Sequence, residues 1–479
     1  MTEAPRLRIR EVERFEWPFK LRLPFRFGVI TVTEGRQAVL RARIALEDGR
    51  EGWGVAAESL AAKWFDKDPS RSDAENQDQL RRALEIAEGL YLGAPLRTAF
   101  GHFADSYAAQ LDAGAAEKLN PLVAGFGPAL LDRAVLDALC RIEGISVYEA
   151  MQRNRVGLAP HSIVPDLEHV DFDRLCGSLV ADDAIDLRHT VGLVDPITAA
   201  EVKNGEKVED GLPQTLEQAI TAYHPRYFKL KVSGKLDADI DRLTAIARVL
   251  DRGGAEYSAT LDGNEQFHDP AEVLAFWQAL QARPALERLC AGIYFIEQPI
   301  ARAEALARDI SELGSEIPVI IDESDGTLDA FPRAVALGYE GVSSKACKGL
   351  YKSILNLTRC RLLNALENRP RYHMTGEDLT TLAGISVQQD LALAALLGIT
   401  HIERNGHHYI DGFAGRPVAE ARQFMAAHPG LYHESHGRVR LHIEDGSLDL
   451  SSLDCVGFAA GALPDFKAME AMPKSKWKP

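Results

Sequence analysis

Lys231, Asp262, Glu297, Asp322 and Lys345 follow one another at gaps of 31, 35, 25 and 23 residues, each at the end of a short apolar, β-like run. Three carboxylates offer hard oxygen ligands for a divalent cation, for which Mg2+ is the natural choice. Two ammonium groups beside that cation could move protons. A single acidic residue after a strand is commonly a polar terminus or a helix cap. Three of them, in Thr260-Leu-Asp-Gly-Asn264, Phe295-Ile-Glu-Gln-Pro299 and Ile320-Ile-Asp-Glu-Ser324, would repel one another without a cation to share.

Lys229 stands two residues before Lys231, and on a strand that spacing turns both side chains to one side. A free lysine, with a pKa of about 10.4, is a poor base at neutral pH. The cation and Lys229 are expected to lower Lys345 toward a useful range. Lys348 reads as a solvated strand end. Glu377 and Glu403 follow the last two predicted strands and could touch a substrate. Glu323, next to Asp322, should point away from the cation and support it from behind.

The elements that would position these groups alternate regularly. Strands are predicted at 187–193, 227–232, 257–261, 293–296, 319–321, 341–344, 371–374 and 400–403, with helices between most of them. Units of about 30 residues, repeated eight times, predict a closed parallel barrel with its active site at the C-terminal strand ends. Before it, residues 7–60 read as β and 61–153 as helical, including Ala74–Glu88 and Pro128–Arg141. Residues 195–212 read as an exposed loop. The expected organisation is an α+β capping domain over 1–160, an α/β barrel over 187–415, and a segment over 416–479 that packs on the capping domain.

The 479 residues are 46% hydrophobic, enough for a large core. A formal charge of -16 argues against nucleic acid or an anionic membrane as partner. Six scattered cysteines without CxxC spacing suit reduced thiols. With no long apolar span and a charged start, a cytoplasmic protein is expected. The partner expected is a small-molecule carboxylate, and the assembly expected is a homo-oligomer.

The ordered set Lys229-Leu-Lys231, Asp262-Gly-Asn264, Glu297-Gln-Pro299, Asp322-Glu-Ser324 and Lys345 resembles the enolase superfamily, in its branch related to mandelate racemase and muconate lactonizing enzyme. Leu23-Pro-Phe-Arg-Phe-Gly28 is similar to that family's substrate-capping loop, with Phe25 facing substrate, and Glu51-Gly-Trp-Gly54 to the hairpin that follows. The resemblance implies a modified TIM barrel with a capping domain completed by the C-terminal tail. It implies that Asp262, Glu297 and Asp322 ligate Mg2+ and that an enediolate forms when the proton α to a carboxylate leaves. It also implies that Lys231 is the base, Lys229 tunes it, Lys345 acts on the opposite face and Asn264 supports the lysine side.

The outcome would be racemisation or epimerisation, dehydration, or cycloisomerisation. Two alternatives stand beside it: a non-catalytic metal- and carboxylate-binding protein on the same fold, and a Schiff-base aldolase. The region Glu403-Arg-Asn-Gly-His-His408 lacks the Asp-x-Asp pattern with which dipeptide epimerases hold a substrate amine.

Overall fold

A computed structural model describes residues 3–28, 30–203 and 205–479. Val29, and Asn204 in the loop expected over 195–212, lie outside the described residues.

The chain opens with an antiparallel sheet of β1 (Leu7–Phe27), β2 (Ile30–Leu46) and β3 (Glu51–Ser59). Apolar and charged residues alternate along it, so one face enters the core while the other carries cross-strand ion pairs such as Arg41 to Glu13, 2.5 Å apart. Leu23–Phe27, expected as a capping loop, is instead the end of β1. Leu23, Phe25 and Phe27 alternate with Pro24 and Arg26 and are buried, and Phe25 pairs with Val32 after a register shift beyond Lys20.

Four helices follow: α1 (Ala62–Phe65), α2 (Asp73–Gly93), α3 (Ala99–Ala116) and α4 (Pro121–Glu143). Two of them exceed their predicted spans because their caps are local. Ser72 and Glu75 form a capping box on α2; Asn120 caps α4 ahead of Pro121, and Gly144 ends it in a left-handed conformation.

The barrel strands are β4 (Ala184–Val191), β5 (Tyr227–Lys231), β6 (Ser258–Asp262), β7 (Ile293–Glu297), β8 (Val319–Ile321), β9 (Gly341–Ser344), β10 (His373–Gly376) and β11 (His401–Arg404). Each is parallel to the next, and β11 pairs with β4 to close the barrel. All eight predicted strands are present, within three residues of their expected limits. Cross-strand register puts Lys231 opposite Asp262, and Asp262 opposite Glu297, so the charges form one row at the mouth.

Beyond residue 416, β12 (Tyr432–Ser435) and β13 (Arg438–Leu441) form a hairpin, while β14 (Ser447–Asp449) and β15 (Glu470–Ala471) pair elsewhere. β15 joins β1, as expected of a tail that packs on the N-terminal sheet. β14, however, extends the barrel sheet by pairing with β4, because Leu448 alternates inward beside Ile185. All six cysteines are free thiols, and among the described residues no helix is long and apolar enough to cross a membrane.

One buried arginine ties the two parts together. Arg133 of α4 donates to Glu58 Oε2 (2.9 Å) and Ala57 O (3.1 Å) of β3, and to Gln389 Oε1 (3.3 Å) on the barrel helix Ile385–Leu396. Gln389 returns a bond to Val55 O at 2.8 Å. Gly54 lets β3 approach α4 this closely: a Cβ there would lie 2.1 Å from Ala138 N and 2.2 Å from Ala134 O, both backbone atoms that cannot yield. Gly54→Ala should therefore cost about 3 kcal/mol. It should lower the thermal midpoint by several degrees; an unchanged midpoint would contradict this packing.

Candidate active site

The apolar strands carry their charged last residues to one end of the barrel. Lys229 and Lys231 alternate inward on β5, and Asp262 and Glu297 end β6 and β7. Asp322 and Lys345 follow β8 and β9 by one residue. All six are buried, at 6% exposure or less.

Ammonium groups share out the carboxylates. Lys231 Nζ donates to Asp262 Oδ2 at 2.5 Å, and Lys345 Nζ to Asp322 Oδ2 at 2.6 Å. Lys229 Nζ lies 3.0 Å from Asp262, 2.7 Å from Glu297, 2.5 Å from Glu377 and 3.1 Å from Glu403. Burial disfavours its charge, but those four carboxylates outweigh burial and hold the ammonium well above the ordinary lysine range.

Burial lowers Lys345 and Lys229 lowers it too, as expected, yet Asp322 outweighs both and holds it above the ordinary range. The carboxylates divide in the same way. Burial pushes all of them up, and Asp262 and Asp322 fall below the usual value only because Lys229 and Lys231, and Lys345 and Lys348, pull them down. Glu297 is driven well up by burial and by Asp262 and Glu377. Glu297 Oε2 rests against Lys229 Nζ at 2.7 Å, while Oε1 is buried with no partner among the described residues.

Several contributors come from outside the predicted set. Lys348 is not solvated; it is buried against Ser343 Oγ (2.9 Å), Asp322 O (3.2 Å) and Asp325 Oδ2 (3.1 Å). Arg188 of β4 pairs with Glu377, which is fully enclosed and does not reach the cavity. Arg188 and Thr190 are polar residues on the inward face of a barrel strand, and that departure from apolar filling was the legible signal. Thr190 Oγ1 donates to Glu403 Oε1 at 2.8 Å. Glu323 turns away from the carboxylate row to Lys67 of the capping domain, 3.1 Å away. Asn264 gives its backbone N–H to Asp262 (2.9 Å), accepts Lys67 on its carbonyl (3.2 Å), and has no partner for Oδ1 among the described residues.

The capping domain completes the enclosure. Arg302 beside the barrel mouth donates to the carbonyls of Trp64 and Phe65, both at 2.9 Å. That contact holds the α1 segment so that the Trp64 ring lies 4.1 Å from Lys345 Nζ. Phe25 lies 5.9 Å from Lys231 Nζ on another wall. The resulting cavity, ≈90 Å³, is lined by Lys231, Lys345, Asp262, Asp322, Glu403 and Asn405 at its base, and by Phe25, Phe27, Leu60, Trp64 and Leu379 above.

Asp262, Glu297 and Asp322 fit a hard divalent cation by the chemistry of their donors and by the buried, unpartnered Oε1 of Glu297. As they stand, no three His, Cys, Asp or Glu side chains among the described residues are gathered closely enough to hold one. Each of the two aspartates leans on an ammonium instead.

This barrel, its capping sheet and the charges at the strand ends define a class: the chain has the fold of the enolase superfamily. It is similar to the L-Ala-D/L-Glu epimerase of Bacillus subtilis, with 17% identity, TM-score 0.56, and coverage of 95% of this chain and 100% of that one. It is similar to muconate lactonizing enzyme of Pseudomonas fluorescens, with 17% identity, TM-score 0.57 and coverage of 96% and 97%. A dipeptide epimerase of Enterococcus faecalis, complexed with Mg and the dipeptide L-Leu-L-Tyr, matches with 15% identity, TM-score 0.58 and coverage of 94% and 99%. No family model and no curated protein matches the sequence.

If Glu297 serves a cation, its charge matters only when the cation is present. Glu297→Gln should change thermal stability in EDTA little, since the loss of its 2.7 Å ion pair with Lys229 is offset by relief of a carboxylate that burial, Asp262 and Glu377 already disfavour. Saturating Mg2+ at 100 times its dissociation constant should stabilise the native protein by about 2.7 kcal/mol. That gain should vanish in the variant. An equal Mg2+ response from both proteins in a thermal melt would refute the assignment.

Proposed function

We propose that this chain is a Mg2+-dependent enzyme, an isomerase or lyase, that removes the proton α to the carboxylate of a small, largely apolar acid. The observation that carries the proposal is the pair Lys231 and Lys345, four strands apart on the barrel, which line one cavity together with Asp262 and Asp322. Asp262, Glu297 and Asp322 would hold the cation, which would bind the substrate carboxylate and offset the charge gathering on its oxygens.

Lys231 rests against Asp262 at 2.5 Å, so it must first loosen that contact and pass one proton to solvent water. Its neutral Nζ then takes the α-proton, and the C–H electron pair moves into the carboxylate to give an enediolate. Lys229, two residues away on the same face, stays engaged with its own carboxylates. Lys345 works from the opposite side. Returning a proton to the other face of the α-carbon gives racemisation or epimerisation; protonating a β-leaving group gives dehydration. Cycloisomerisation passes through the same enediolate. Glu377 and Glu403 keep Lys229 in place, while Asn264 and Glu323 hold the row from the cap side through Lys67.

The cavity walls narrow the substrate. Phe25, Phe27, Leu60, Trp64 and Leu379 favour an apolar body. The last strand presents Glu403 and Asn405 rather than two acids, and Glu403 is already engaged by Lys229 and Thr190. An acid without a free amine suits this lining better than a dipeptide. One observation favours the alternative of a non-catalytic carboxylate-binding protein: the Lys229 ammonium offsets part of the charge of the four carboxylates within 3.1 Å of it.

Deuterium exchange at the α-carbon of a set of apolar carboxylic acids in D2O separates the two. Exchange should require Mg2+, stop in EDTA, and fall at least ~100-fold in Lys231→Ala. Lys345→Ala should retain exchange of one enantiomer while losing inversion. Tight binding with no exchange across the set would favour the binding protein.

A further inference from the structure

A second cavity lies behind the last barrel strand, between the segment that follows β11, the loop at 211–213 and the β12–β13 hairpin. Its volume is ≈150 Å³. An apolar cavity of about that size accepts a benzene-sized ligand. Leu212, Val387, Ile410, Leu441 and Ile443 form its aliphatic side, Thr381, Arg404, His433 and Ser435 lie among its polar lining, and Asp378 borders both this cavity and the one at the barrel mouth.

Two polar side chains in the lining have bonding capacity that the protein does not fill. Arg440 is 4% exposed; its Nε donates to Asp411 Oδ1 (2.8 Å) and its Nη2 to Asp210 O (2.8 Å), but its Nη1 is buried without a partner among the described residues. His407 has no hydrogen bond to either ring nitrogen, both of which are shut off from solvent. Its ring stands edge-on to Tyr223 at 5.2 Å and His189 at 5.5 Å. Burial, together with His189, Arg404 and Arg22, holds its pKa well below the ordinary histidine value, so the imidazole is neutral with one N–H to give.

The charged neighbours are already satisfied. Asp378 accepts from Thr381 N (3.0 Å), Thr381 Oγ1 (2.8 Å), Asn405 N (2.8 Å) and Gly406 N (3.2 Å). Arg404 is bound by Asp390 and Thr381 Oγ1. Arg440 Nη1 and the His407 N–H are therefore open donors, in a chamber that is aliphatic on one side and polar on the other. Buried polar atoms in native proteins are nearly always paired, and packing alone would be served better by apolar residues at both positions.

We propose that this chamber binds a small organic monocarboxylate at a site separate from the barrel mouth. Arg440 Nη1 and the His407 N–H would meet the carboxylate, and the aliphatic walls would hold the body. Because Asn405 lines one cavity and His407 the other, a ligand here would touch the segment that also shapes the candidate active site.

Benzoate is a suitable probe, since it matches the volume and has no α-proton to lose. Isothermal titration of the full chain in EDTA should show a saturable benzoate site that Lys231→Ala leaves unchanged. His407→Phe, which keeps the ring and removes both nitrogens, should weaken that binding at least tenfold. Ala383→Leu, which fills the chamber from its lining, should do the same. Thermal melts of each variant identify any loss caused by misfolding, and both substitutions must weaken binding in folded protein. The proposal is overturned if no saturable binding occurs, if it persists unweakened in either folded variant, or if Lys231→Ala removes it. None of these outcomes depends on α-proton exchange, so this site and the proposed activity can fail separately.

Discussion

Charge compensation at the barrel mouth is the constraint on which the rest depends. Asp262, Glu297, Asp322, Glu377 and Glu403 are all buried within one end of a single barrel. Removing an ion from water costs several kcal/mol even after relaxation. The fold meets that cost with cations from separate strands: Lys229 and Lys231 from β5, Lys345 and Lys348 after β9, and Arg188 from β4. Lys229 is the centre of the arrangement, within 3.1 Å of four carboxylates. It is at once a structural counter-ion and one of the charges that pull Asp262 and Asp322 below the usual carboxylate range.

The capping domain serves the same constraint from above. Lys67 and Arg302 draw Glu265 and Glu323 into a second charged layer and fix the α1 segment. Trp64 then covers Lys345, and Phe25 covers the side near Lys231. Excluding water strengthens every pair beneath. The buried contact of Arg133 with Glu58 and Gln389 keeps this cover on the barrel. Enclosure and charge balance thus depend on each other, and an isolated barrel would expose the row that it must neutralise.

Much of this was legible in the sequence because the barrel repeats its grammar. An apolar run followed by one charged residue gave the strand ends, and the gaps between them gave the order around the barrel. What stayed hidden depends on distances that no spacing encodes. Lys229 does lower Lys345, but no spacing shows that Asp322 lies 2.6 Å from it and raises it by more. Lys348 looked solvated because nothing in Lys-Ala-Cys-Lys reveals that the chain turns it back onto Asp322 and Asp325. Lys67 and Trp64 lie more than 150 residues before Lys229, the first barrel residue of the predicted site, and only the docked cap brings them in. The supposed capping loop at Leu23–Gly28 is a strand up to Phe27, since its alternating apolar residues find a partner in β2.

The central claim is that three of these carboxylates can exchange an internal ammonium for a divalent cation. Crystals grown in EDTA and then soaked in Mn2+, an oxygen-seeking ion visible by anomalous scattering, test it directly. The expected result is one anomalous peak bounded by Asp262, Glu297 and Asp322, with Lys229 withdrawn toward Glu377 and Glu403. A saturating soak that leaves Lys229 seated against Asp262 and Glu297, with no peak among the three carboxylates, would contradict the claim.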